Sequence, residues 1–167
     1  MPVTDLVKLP QGLDAELILE FFLVFSRFEY AIKSAGLLNP ARARAEADWD
    51  ALADRIADGN APEVERLKAA GEYLLAEPPK RQDRDGNMLK WTPVPSDRDR
   101  PVHSILGSVR RVRNNLFHGG KYDEMGRLND RNERLVTSSL AVLDAALEAP
   151  MCADVRDYYL AYAPEPE

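Results

Sequence analysis

The sequence predicts an all-α fold, an up-down helical bundle of about five helices with one irregular loop or short hairpin inserted into it. Three observations lead there. Apolar residues recur every three or four positions through several long stretches, the spacing that gives a helix one buried face. Asn-Pro, Asp-Gly and Pro-Pro pairs separate those stretches, as they do where helices start and stop. Only the segment from about 78 to 100 breaks the periodicity.

The first helix is expected over Leu13 to Leu38, "LDAELILEFFLVFSRFEYAIKSAGLL". It has two apolar rows, Leu17, Phe21, Val24 and Phe28 on one and Ile18, Phe22, Phe25 and Ile32 on the other. Together the rows cover more than half the circumference, so this helix is expected to be central and mostly buried. Glu29 falls on the second row, between Phe25 and Ile32. A carboxylate there must find a partner or shift its pKa, and Arg27 or an arginine of the helix that holds Val109 to Leu116 would make it a structural ion pair.

Asn39-Pro40 reads as an N-cap with proline in the first turn. The helix after it buries Ala45, Trp49, Leu52 and Ile56 and stops at Asp58-Gly59. Asn60 and Pro62 open a third helix with a stripe of Val64, Leu67, Gly71 and Leu74, closed by Pro78-Pro79. In the excursion that follows, "KRQDRDGNMLKWTPVPSDRDRP", Asp85-Gly86 signals a hairpin turn. The segment is therefore a short two-stranded ribbon or else a polar loop, of a length that is commonly functional. Pro101 starts the next helix, whose core row is Ile105, Val109, Val112 and Leu116, with Gly119 just past its C-cap. A helix from about Asp130 to Ala149 buries Val136, Leu140, Leu143 and Leu147 and ends at Pro150. "ADVRDYYLAY" reads as a last short helix and residues 163–167 as a frayed acidic tail.

With 167 residues, 45% of them apolar and 30% charged, the chain has the make-up of an ordinary globular protein. That length suits a single domain over residues 1–167, its core between about 13 and 149. Two histidines and one cysteine give no ligand pattern for zinc, and no glycine-rich phosphate loop follows a strand, so neither a metal nor a cofactor is expected. Lone Cys152 has no base near it in sequence and is expected to be buried or unreactive. No run approaches the roughly 20 apolar residues of a membrane span, and "MPVTDLVKLPQG" lacks a basic, then apolar, leader pattern. A cytoplasmic protein without membrane contact is the expectation.

The net charge of −6 argues against nucleic acid until its distribution is considered. From Lys80 to Arg134 thirteen Lys and Arg stand against eight Asp and Glu, a net +5, leaving −11 for the rest. The centre of this basic segment is "VRRVRNNLFHGGKY", Val109 to Tyr122. At about 100° per residue, Arg110, Asn114 and His118 stack in one row, with Arg113 about 140° from His118. All of them miss the core row. His118 is expected in the last helical turn, where unpaired carbonyls favour a cation by roughly 0.3 to 1 kcal/mol and help an imidazole both take and give a proton near neutrality. His103, in contrast, has no constellation around it in sequence and reads as an exposed or capping residue.

Metal-free RNA cleavage needs a base for the 2′-hydroxyl proton, an acid for the leaving 5′-oxygen, and a cation for the charge on the phosphorane. One His and one Arg per chain fall short of that list. Two chains with these helices antiparallel supply two of each, which suggests a homodimer with its site on the two-fold axis.

"RNNLFH", Arg113 to His118, resembles the R-x-x-x-x-H signature of the HEPN superfamily of α-helical ribonucleases, in which a polar residue, often Asn, follows the Arg. The wider "VRNNLFHGGK" and the upstream "FSRFEYAIK" resemble the HEPN domains of prokaryotic defence and toxin systems. The resemblance spans most of residues 13 to 149. It implies an endoribonuclease, a toxin or antiphage effector, that leaves a 2′,3′-cyclic phosphate. Arg113 and His118 would be catalytic, with Asn114 orienting the histidine or touching phosphate. Arg110, Arg111 and Lys121 would hold RNA. Glu29 matches the acidic residue that many members carry on an earlier helix, as a catalytic support or a structural ion pair. An antitoxin or regulatory protein is a further implied partner. In toxins paired with a nucleotidyltransferase, a tyrosine stands two residues after the histidine; that position is Gly120 here, and the nearest tyrosine is Tyr122. A non-catalytic module binding RNA, a nucleotide or a partner protein through the same surface is the alternative reading.

Overall fold

A computed structural model of the chain describes residues 13–117 and 129–161. Its elements are α1 (Ala15–Ser34), α2 (Trp49–Ala57), α3 (Ala61–Ala70), α4 (Glu72–Ala76), β1 (Arg81–Asp85), β2 (Met88–Thr92), α5 (Pro101–Phe117), α6 (Asn129–Glu148) and α7 (Ala153–Leu160), with a 3-10 turn at Pro150–Cys152. The fold is mostly helical, as expected, but it is not an up-down bundle of about five helices. Seven helices are found among the described residues, and α6 sits in the middle, packed against α1, α3, α4, α5 and α7.

Three sequence expectations need correction. The first is that α1 is central. It buries Phe21, Phe25, Phe28, Ala31 and Ile32 along one side, while Leu19, Phe22 and Leu23 face outward. Both apolar rows reach the core, through Phe21 and Phe28 of one and Phe25 and Ile32 of the other, because they lie side by side on one half of the helix; the opposite half is left outside it.

The second is the start of the helix after Asn39-Pro40. Asn39 does cap, but it caps a turn, its Oδ1 accepting from the Ala41 amide at 3.0 Å. The backbone then closes on itself, with Asn39 donating to the Glu46 carbonyl and Asp48 to that of Leu37, both at 2.9 Å. The helix begins only at Trp49, where Asp48 Oδ1 accepts from the Ala51 amide at 2.9 Å. Ala45 is exposed and Ala47 is buried in its place.

The third is the continuous stripe through Gly71, which marks instead the joint between α3 and α4. A Cβ there would fall 2.7 to 2.9 Å from three side-chain carbons of Ile105, so the missing side chain is what lets α5 approach so closely.

The hairpin forms. β1 and β2 are antiparallel, Asp85 opposite Met88 and Arg81 opposite Thr92, and Gly86 takes a φ of +59° in the two-residue turn, the left-handed conformation such turns need. The core runs through all the larger helices, with Ile105, Leu106, Val109 and Val112 of α5 fully buried. Each such aliphatic side chain contributes about 1.5 to 3 kcal/mol, which fixes the roll of α5 and hence the direction of its polar residues. Among the described residues no single helix is long and apolar enough to cross a membrane.

Candidate functional site

With its core row fixed, the last turn of α5 holds Arg113 at the edge of α1. The guanidinium carbon lies 4.7 Å from the centre of the Phe117 ring and 5.5 Å from that of Phe25. Its Nη1 donates to Asn114 Oδ1 at 3.0 Å. Its Nε is buried with no hydrogen-bond acceptor among the described residues, and no carboxylate there pairs with it. It is a cation set against two π faces with no counter-charge among the described residues. Arg113 borders a groove of about 400 Å³ lined by Ile18, Leu19, Phe22, Leu116 and Phe117. Phe22 and Phe117 meet across it with ring centres 5.0 Å apart.

One turn earlier lie Arg110 and Arg111. Arg111 Nη2 donates to the buried Ser108 Oγ at 3.1 Å, and its Nε is also buried without an acceptor among the described residues. Burial, and after it the charges of Arg81 and Arg110, push Arg111 below the usual arginine value. It remains a cation at neutral pH. Arg110 makes no ion pair among the described residues. Arg111 therefore lies among like charges, with Arg110 beside it on the helix and Arg81 of β1 near it where α5 meets the hairpin, while Arg113 faces α1.

Asn115 builds that junction, and sequence reasoning passed over it. It is buried and its Nδ2 donates to the Lys80 carbonyl at 2.9 Å. From α6, Arg131 reaches the carbonyls of Glu77 and Pro78 at 3.4 and 3.1 Å. Asn115 lies three residues after Val112, on the core row of α5, and an amide on a core row is itself a sign of a buried polar tie.

Glu29 finds neither of its expected ionic partners among the described residues. Its Oε1 accepts from Trp49 Nε1 at 3.1 Å. Arg27 turns away, donating to the Tyr159 carbonyl at 2.6 Å and lying 4.8 Å above the Tyr159 ring. Trp49 stacks on Phe25 at 5.3 Å and on Phe28 at 5.5 Å. Glu29 and Arg113 thus stand at two ends of one aromatic stack, through Trp49 and Phe25, without touching.

His103 does have a constellation. Its side chain is 14% exposed, with Nε2 lying 2.8 Å from Asp54 Oδ1 and 2.6 Å from Arg100 Nη2. Arg100 also pairs with Asp54 at 3.3 Å. The set ties the first turn of α5 to α2, and only the fold brings its members together. Cys152 is buried, and burial pushes its thiol up to about 11, far from the thiolate that would react. Among the described residues no group of three His, Cys, Asp or Glu side chains is arranged to hold a metal ion. His118, Gly119, Gly120, Lys121 and Tyr122 lie outside the described residues.

No family model, no curated protein and no solved structure matches the chain.

Proposed function

We propose that the chain is a metal-independent endoribonuclease of the HEPN kind, a toxin or antiphage effector acting as a homodimer on RNA. The observation that carries this reading is the state of Arg113, a half-buried cation set against two rings with no carboxylate to neutralise it among the described residues. Structural arginines at helix ends pair with carboxylates or carbonyls, as Arg55 pairs with Asp154 at 2.9 Å. An arginine kept apart from them suits a charge that arrives with the substrate.

In the proposed reaction one His118 removes the proton of a ribose 2′-hydroxyl. The 2′-oxygen attacks the adjacent phosphorus and the bond to the 5′-oxygen breaks. A second His118, from the other protomer, protonates that leaving oxygen, and a 2′,3′-cyclic phosphate remains. Arg113 stabilises the phosphorane, with Asn114, already bonded to it, setting its direction. Arg110, Arg111 and Lys121 hold flanking phosphates. Glu29 acts through Trp49 and Phe25 as a positioning residue.

The test is incubation of the purified protein with total or transfer RNA in EDTA. Fragments ending in cyclic phosphate are expected with the wild type and absent with His118→Ala. Intact RNA with the wild type across several RNA classes would sink the proposal. RNA binding that survives His118→Ala but falls in Arg110→Ala, with no cleavage by any form, would select the non-catalytic module instead.

A further inference from the structure

The hairpin adds nothing to the core. None of its residues belongs to the buried cluster, and Met88 and Leu89 near its tip are each 74% exposed. A lone two-stranded ribbon is marginal in water, yet both of its ends are tied down. Asn115 and Arg131 hold the incoming strap, and Ser96 Oγ bonds the Leu75 carbonyl at 2.9 Å on the outgoing side. A ribbon kept out of the core and fixed at its root is placed to touch something else.

Its two faces differ. Arg81, Asp83, Asp85 and Lys90 share one face, where Arg81 pairs with Asp83 at 2.7 Å and Lys90 with Asp85 at 3.9 Å, so charge is balanced there. The other face carries Gln82 opposite Trp91 and Arg84 opposite Leu89. Arg84 bonds only the Gly86 carbonyl, at 2.5 Å, and has no carboxylate partner among the described residues. A cation, an amide and an indole beside exposed aliphatic carbon match single-stranded nucleic acid, which offers phosphates, base edges and unstacked ring faces together. Charge at the root also favours an anion, because Arg81 there lies close enough to Arg111 for the two to repel, and Arg111 has no carboxylate partner among the described residues.

We propose that the hairpin face bearing Gln82, Arg84, Leu89 and Trp91 is a second contact for the substrate, gripping single-stranded RNA beyond the phosphates held at α5. Arg84 takes a phosphate and Trp91 stacks on a base. The inference rests on the ribonuclease reading.

Binding of a fluorescent single-stranded RNA is to be measured by anisotropy in EDTA, in the His118→Ala background, over a range of salt. Trp91→Ala should raise Kd about tenfold and Trp91→Phe much less. Arg84→Ala should flatten the slope of log K against log salt by about 0.7, while Arg42→Ala, a remote exposed cation, leaves it alone. With His118 restored, Arg84→Ala should raise KM with kcat unchanged. If the parent binds and cuts RNA while Arg84→Ala and Trp91→Ala keep its Kd, salt slope and KM, the hairpin contact is wrong and the nuclease stands. A parent that neither binds nor cuts overturns both. Arg84 is exposed, so its variant stays informative even where Trp91→Ala disturbs the ribbon.

Discussion

Arg113 shows how one side chain joins sequence, packing and chemistry. Its place in the motif was legible from the spacing to His118, and its exclusion from the core row from helical arithmetic. Its surroundings were not, since Phe25 reaches it across the fold from α1, and no local pattern encodes such a contact. The same holds for His103, whose partner Asp54 comes from α2, and for Glu29, whose acceptor role depends on where Trp49 lands. The ring contacts make a prediction about Arg113 that separates catalysis from stability. Two partly exposed cation–π contacts are worth about 0.5 to 1 kcal/mol each, whereas removing a donor to a developing oxyanion lowers kcat by roughly 10²- to 10³-fold. Arg113→Ala is therefore expected to unfold in urea only slightly earlier than the parent and to lose cleavage almost completely. Arg113→Lys keeps the charge without the planar fork and is expected to recover only a small part of the rate. A variant that is several kcal/mol less stable but still cuts RNA would make Arg113 a packing residue.

Helix boundaries divide into those set by local chemistry and those set by neighbours. Asp85-Gly86 announced the hairpin because a two-residue turn demands a left-handed residue, and Gly86 supplies it. Pro101 marked the start of α5 for an equally local reason. Asn39-Pro40 carried the same signal, but the following "ARARA" has no apolar face to bury, and the strand-like bridge of Leu38 with Ala47 took its place. Gly71 fitted the stripe of a helix and is in fact where two helices meet, for a reason that lies in Ile105. Overpacking at such a contact costs typically 1 to 3 kcal/mol, against at most about 1 kcal/mol from the better helix propensity of alanine. Gly71→Ala is thus expected to lower the urea midpoint. Ile105→Ala alone, which opens a cavity, should cost about 2 to 5 kcal/mol. Combined, the two changes should cost less than their sum by about 0.5 kcal/mol or more, because the new methyl enters the space that Ile105 leaves. Strict additivity in that cycle would mean that α3–α4 and α5 do not meet as described.

The whole molecule places α6 at its centre, and that arrangement decides what α1 can be. With its inner side on the core, α1 turns Leu19 and Leu23 outward, 57% and 56% exposed, next to Phe22 and beside Phe117, which is 53% exposed. A cluster of this kind on a surface marks an interaction site more often than chance, and here Arg113 stands at its rim. A face shared by two copies about a two-fold axis buries the same residues from each side. It would bring the two Arg113 side chains toward one another, as the proposed reaction requires. Leu19→Asp with Leu23→Asp tests this directly. Both positions are exposed in the single chain, so the fold should change by no more than about 0.5 kcal/mol, whereas a carboxylate buried without a partner at the dimer face is far more costly. Light scattering is expected to give a dimer for the parent and a monomer for the variant, with matching circular dichroism. Cleavage should be lost with the dimer and should rise more steeply than linearly as the parent's concentration passes its dissociation constant. A monomeric parent, or a monomeric variant cutting RNA at the full rate, would mean that each chain carries a complete site, and one His118 per chain cannot then serve as both acid and base on separate oxygens in a single step.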